Sequence, residues 1–279
     1  MLCGGAVMSE CGGDRAGGVS SSGRPNQPIR GVVEWQVVPR LVSAHAVAGS
    51  NGESAWIRSE DVEFFTRCSI ERDALALLDF LESLRRVGAS HESLLLDVVA
   101  PAARSLGLQW EQDSCDFAAV TVGVGRMQQA MRMLAPDRLV PPLDSAFTQR
   151  RAWLSVGPGE QHTLAVGILG HCLRGAGWQV DGPGAVNDAD RPVRALSENW
   201  YDMVGLSVQC HRFLEDLSRQ IARLRDCSCN SDVRIMVGGM PFLSDPGLAA
   251  EVGADLTAGD AREAVRAADG LCVDRARQD

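Results

Sequence analysis

An alternation in the second half of this chain limits what it can fold into. Short apolar runs at Trp153–Val156, Trp178–Val180, Met203–Val208 and Val233–Val237 are separated by helix-like stretches, and a last short run lies at Ala254–Thr257. The spacing predicts helices over His162–Arg174 and Phe213–Arg225, near Pro246–Val252, and over Asp260–Ala268. Parallel strands cannot be joined by a hairpin and need a crossover, usually a helix. Repeated strand–helix units therefore predict an α/β fold with a parallel sheet and helices on both faces. Such sheets bind ligands beyond the carboxyl ends of their strands.

The preceding segment has a different texture. Ser59-Glu60-Asp61 reads as a helix start, and Ile70, Ala74, Leu77, Leu78 and Leu81 follow at helical spacing until Gly88 and Ser90 break the pattern. A second helix carries Leu94, Leu95, Val98, Val99 and Ala102, with Pro101 inside it as either a kink or a helix junction. A third is predicted from Asp113 to Leu134, with Val120, Val124, Met127 and Met131 on its apolar side. Pro136, Pro141 and Pro142 close this helical bundle. The expected organisation is a flexible extension over 1–58, a helical bundle over 59–142 and the sheet domain over 150–272. Within the Gly-, Ser- and Pro-rich extension, Val32–Val38 reads as either a strand or a docking segment.

Composition excludes some functions. The net charge of −9 is a poor basis for gripping nucleic-acid phosphates, so no strong direct nucleic-acid binding is expected. The nine cysteines are scattered, with no C-x-x-C pair, and read as reduced thiols, several of them buried. No apolar run reaches the roughly 18 residues of a membrane span, and the N-terminus lacks a secretory pattern, so a soluble cytoplasmic protein is expected.

Three unusual features fall at strand ends and hence around one crevice. The first strand is followed by Gly157-Pro158-Gly159-Glu160-Gln161-His162, the third ends at Ser207, and the fourth ends at Gly238-Gly239. This arrangement resembles the cobalamin-binding domains of methionine synthase, corrinoid methyl carriers and the CarH photoreceptor, whose blocks are D-x-H-x-x-G, then S-x-L, then G-G. Here Glu160-Gln161-His162-Thr163-Leu164-Ala165 takes the first place. Residues 166–206, 41 positions, separate it from Ser207-Val208-Gln209, and residues 210–237, 28 positions, separate that from Gly238-Gly239. The departures are Glu160 for Asp, Ala165 for Gly and Gln209 for Leu.

The resemblance implies a flavodoxin/Rossmann-like cobalamin-binding domain under a helical cap. His162 would offer an imidazole to the cobalt, and Glu160 would accept from the other ring nitrogen and fix the tautomer. Gln161, Thr163 and Val208 fall within the same blocks. Ser207 would hydrogen-bond in the pocket that takes the nucleotide tail of the cofactor, and Gly238 and Gly239 would let that tail lie against backbone. Leu106-Gly107-Leu108-Gln109-Trp110 resembles the L-G-x-x-W piece of the cap, which would place Trp110 over the upper face of the corrin; as a plain aromatic, Trp110 reads equally as core. The Glu-His pair that CarH-like proteins carry in the next helix corresponds to Val120-Thr121. His45, in the extension, is either a substitute for that upper histidine or a surface residue.

Closer wording, in Pro158–Leu164, Met236–Gly239 and Gly253–Ala258, resembles the AerR/PpaA regulators of photosynthesis genes, over roughly residues 60–270. The resemblance implies a non-enzymatic antirepressor, a photoreceptor or redox sensor that binds cobalamin and acts on a PpsR/CrtJ-type repressor. Two alternatives stay open: a corrinoid methyl carrier serving a methyltransferase, and a heme-binding sensor using the same His162.

Overall fold

The computed structural model describes residues 57–134, 150–182 and 190–275, with side-chain surroundings through 271. The expected extension, with Val32–Val38 and His45, lies outside the described residues except for its last two positions, as do Pro136, Pro141 and Pro142.

Four helical segments open the described chain. They are α1 (Ser59–Glu71), α2 (Ala74–Arg86), α3 and α4 (Phe117–Met133). Helix α3 is a continuous run made of His91–Ser93, a π-helical stretch Leu94–Val99, and Ala100–Glu111. The first predicted helix is in fact two. Arg72 is extended, and Asp73 caps α2 by accepting the Ala76 amide at 2.9 Å, an N-cap signal strong enough to end one helix and start another. Pro101 sits at a junction: the π-helical stretch lies immediately before it, and the Ala100 amide reaches five residues back to the Leu95 carbonyl. Pro101 has no N–H to donate and crowds the preceding turn, which the wider π turn relieves. The third predicted helix begins at Phe117 rather than Asp113, because Asp116 caps it through the Ala119 amide and Asp113 stands at a positive φ of 55°. Phe65, Leu77, Leu81, Leu94, Leu106 and Met127 are among the fully buried side chains of this unit.

The sheet is parallel, with strands β1 (Arg151–Val156), β2 (Gln179–Asp181), β3 (Met203–Ser207), β4 (Arg234–Gly238) and β5 (Leu256–Thr257) in the order β2-β1-β3-β4-β5. Helix α5 (Leu164–Gly175) and the last helix, Ala261–Arg275, cover one face, with Val166, Leu173, Ala264 and Ala268 packed on Leu154, Met203 and Met236. The other face is covered by α6 (Arg191–Glu198), α7 (Leu214–Cys227) and the short helices α8 (Met240–Ser244) and α9 (Leu248–Glu251), which bring Leu196, Leu217, Ile221, Phe242 and Ala249 onto Val204 and Val237. The final helix is α10. Helices α6 and α8 are additions to the sequence expectation.

The chain leaves β1 toward β2 at one edge and returns to build β3 on the other side of β1. The carboxyl ends of β1 and β3 therefore flank the point where connections run in opposite directions, which is where a ligand crevice forms in such sheets. The helical unit shares its core with the outer side of α5 through Leu164, Ile168 and Cys172. Polar contacts join the two units as well. Arg262 on α10 donates to Glu92 at 2.9 Å and to both carboxylate oxygens of Asp97 at 3.0 and 3.1 Å. His91 Nε2 lies 3.4 Å from His171 Nδ1.

Candidate functional site

The loop from β1 to α5 is built to hold a carboxylate and an imidazole in one geometry. The Gly157 amide donates to the Ser207 carbonyl at 2.9 Å, and the Glu160 amide donates back to the Gly157 carbonyl at 3.1 Å. Gly159 has φ 72°, and a Cβ there would lie 2.6 Å from the Phe213 ring, so this turn requires glycine. His162 was predicted to open a helix. It lies instead in the loop, ahead of the first residue of α5.

Glu160 is buried, with its side chain 0% exposed, and uses both oxygens. Oε1 faces His162 Nδ1 at 2.5 Å and accepts the Gln161 amide at 3.1 Å. Oε2 accepts the Gln209 amide at 2.8 Å. Burial pushes the carboxyl upward, but the His162 hydrogen bond and charge, with the Gln209 and Gln161 amides, outweigh it, so Glu160 is held below its ordinary value and ionised. A carboxylate is an acceptor only, so Nδ1 carries the proton, and in the neutral imidazole Nε2 keeps the lone pair. The His162 side chain is 12% exposed, and Nε2 has no protein hydrogen-bond partner among the described residues. A neutral imidazole held this way is a metal donor with a fixed tautomer.

A cavity of about 120 Å³ enters the sheet domain between α5 and the ends of β3 and β4; Gln209 on its wall also donates its amide to Glu160, while neither Glu160 nor His162 lines it. Leu154, Val166, Leu169, Met236 and Leu243 make it largely apolar, and Ser207, Gln209 and Asp260 supply side-chain polarity. Gly238 and Gly239 both line it but differ in kind. At Gly239, φ is 115° and a Cβ would lie 1.9 Å from the Val208 carbonyl oxygen, so the backbone itself demands glycine there. At Gly238 a Cβ would meet only the Ala258 carbonyl, at 3.8 Å. The space left by its missing side chain is therefore open to a ligand.

The other expected site residues divide. Thr163 Oγ1 accepts from Gln128 Nε2 at 3.1 Å, which ties α4 of the helical unit to the residue after His162. The Gln161 side chain is exposed. Val208 is fully buried in the core on the opposite face of the sheet and is not on the cavity wall. Trp110 is partly buried against the helical core near the end of α3 and is likewise not among the cavity residues. Leu96 and Ala100 are the residues of that unit that reach the cavity. Sequence reasoning noted Gln209 only as a departure and passed over Gln128. Gln209 was visible two positions after Ser207, on the same side of an alternating strand end; nothing local marked Gln128.

Residues 150–269 match the family model described as the B12 binding domain. A Rhodobacter capsulatus protein described as an uncharacterised 20.5 kDa protein in the bchF-crtJ intergenic region is 28% identical over 171 residues, covering 61% of this chain and 86% of that protein. Among solved structures, the Methanosarcina barkeri monomethylamine corrinoid protein is similar with a TM-score of 0.62 at 18% identity, covering 76% of this chain and 98% of that one. That last likeness is one of fold, a helical unit followed by a parallel five-stranded sheet. Over residues 150–269, the sheet-bearing part, this chain is therefore similar to the B12 binding domain family.

Proposed function

We propose that this chain holds a cobalamin-type corrinoid through His162 and serves as a non-catalytic antirepressor, changing its affinity for a PpsR/CrtJ-type repressor of photosynthesis genes in response to light or redox state. The observation that carries the corrinoid part is the Glu160–His162 pair, which leaves one imidazole nitrogen as a donor and is joined through the Gln209 amide to a cavity that Gly238 lines. The donor set suits the group: His162 would hold a corrin-bound cobalt through a single imidazole nitrogen. A bound corrinoid would supply a cobalt centre able to exchange a ligand on illumination or reduction.

The residues of the chain divide the remaining work. Glu160 fixes the His162 tautomer, and the Gln209 amide fixes Glu160. Ser207 and the open side of Gly238 receive the tail. The Gln128–Thr163 hydrogen bond, with Leu96 and Ala100 on the cavity wall, couples events at the site to the helical unit. That unit carries exposed apolar side chains, among them Phe64, Leu108, Phe117 and Val122, which suit protein contact. A ligand state shifts partner binding only by as much as its affinity differs between the two forms of the protein. The output half of the reading is supported by the Rhodobacter relative, whose description places it between bchF and crtJ.

The test is a titration with hydroxocobalamin and adenosylcobalamin followed by visible absorption, in darkness and after illumination, with wild type and His162→Ala. Wild type should show the spectrum of an imidazole-bound corrin and the variant should not. Repressor binding measured in the same conditions should differ between light and dark only for wild type. Unchanged tight binding and spectrum in His162→Ala would remove His162 from the cobalt. Equal repressor binding in all conditions would leave a methyl carrier as the better reading, and uptake of heme in place of corrin would favour a heme sensor.

A further inference from the structure

Gln209 contributes only its backbone amide to the clamp on Glu160, which leaves its side chain unaccounted for. The residue is 5% exposed and lies on the cavity wall. Its Nε2 donates to Ser207 Oγ at 3.3 Å, while its Oε1 is buried and has no hydrogen-bond partner among the described residues. The Ser207 hydroxyl can donate or accept, so turning the amide over leaves the same result: one end answers Ser207 and the other has no protein partner. Buried polar groups are almost always satisfied, and one that is not calls for a specific explanation. The cavity around it is largely apolar, with Ser207 and Asp260 the other polar side chains on its wall.

We infer that Gln209 sets the class of tail this protein accepts: a corrinoid whose tail base presents a hydrogen-bonding edge, as a purine does, over one whose base presents an alkyl-substituted benzimidazole edge. The inference rests on the corrinoid reading above. A carboxamide places an acceptor and a donor side by side, the pattern that pairs with the adjacent amino group and ring nitrogen of adenine. The apolar walls suit the faces of either flat base, and Asp260, which also lines the cavity, already accepts the Glu263 amide through Oδ1 at 2.7 Å, so the discrimination is assigned to Gln209. A dimethylated edge would leave its amide buried and unpaired, and sites built to hydrogen-bond a ligand reject analogues that lack the partner.

The experiment compares three corrinoids by spectral titration: one with an adenine tail, cobalamin with its dimethylbenzimidazole tail, and cobinamide, which has no tail. Each is tested on wild type and on Gln209→Leu. The substitution leaves the Gln209 backbone amide to Glu160 in place, and circular dichroism checks the fold. Wild type should bind the adenine-tailed form about tenfold or more tighter than cobalamin. Gln209→Leu should lose or reverse that preference, and cobinamide should bind both proteins alike. A wild-type preference for cobalamin, the same preference in both proteins, or loss of cobinamide binding in Gln209→Leu would each overturn the inference and leave the corrinoid reading standing. Failure of all three ligands to bind wild type would overturn both.

Discussion

Glu160 spends both carboxylate oxygens as acceptors, and this makes Glu160→Gln a sharper substitution than its size suggests. An amide has one oxygen. If it faces the Gln209 N–H, its NH₂ is turned toward His162 Nδ1, and the imidazole must move its proton to Nε2 to accept. If the amide is turned the other way, its NH₂ opposes a backbone N–H that cannot adapt. Either way the lone pair on Nε2 or the loop is lost. Affinity for cobinamide should fall toward the upper end of the 10–100-fold range usual for partners of metal-ligating histidines, about 100-fold, read by spectral titration; wild-type affinity in the variant would show that Glu160 does not set the tautomer. The two cavity glycines make a second pair of opposites. Gly239→Ala should lower unfolding stability by about 1–3 kcal/mol, the cost of forcing a side chain into such a backbone. Gly238→Ala should leave the melting temperature nearly unchanged and weaken binding of tailed corrinoids only. Thermal melts and titrations of both variants check this, and equal loss of stability would cancel the distinction. The loop motif and its order along the chain were legible from residues 160–163, 207 and 238–239. Which glycine serves the backbone and which serves a ligand was not, because that depends on how close the Val208 and Ala258 carbonyls come.

At the scale of elements, apolar periodicity located the strands and the principal helices, since burial on a helix or strand imposes a period on the sequence. It failed where a helix presents little apolar stripe. In α6, Arg-Pro-Val-Arg-Ala-Leu-Ser-Glu buries only Pro192 and Leu196, and α8 is a five-residue turn after Gly239. It also ran α1 and α2 together, because Ile70, Ala74 and Leu77 keep the helical period across the break. Periodicity reports which face is buried, whereas the boundary is set by Asp73. Asp73→Ala should therefore cost about 1 kcal/mol, measured by urea unfolding. An unchanged midpoint would mean that packing alone sets the turn between α1 and α2.

For the whole molecule, the question is what joins the helical unit to the sheet, because any signal from the His162 loop must cross that join. The seam is apolar at Leu164, Ile168 and Cys172, ionic where Arg262 meets Glu92 and Asp97, and imidazole against imidazole at His91 and His171. Its pH dependence follows from His171, whose pKa is pushed down to about 4, first by burial and then by the charges of His91 and Arg174. In the unfolded chain the same imidazole titrates at its ordinary value of 6.5. Between pH 6.5 and 4 the unfolded state binds the proton and the folded state does not, so the His171 contribution to stability falls as pH falls through that window and levels off below it. Carboxylates also titrate toward the lower end, so the informative quantity is the difference between wild type and His171→Asn, in which the amide keeps a polar group near the place of Nδ1 without gaining a charge. The wild-type melting temperature should drop more between pH 7 and pH 5 than that of the variant. The excess should appear first as loss of protection from hydrogen exchange in α5 and the first turns of α3, which face each other across the seam. Parallel pH profiles for the two proteins would show that His171 does not carry the acid sensitivity of the join.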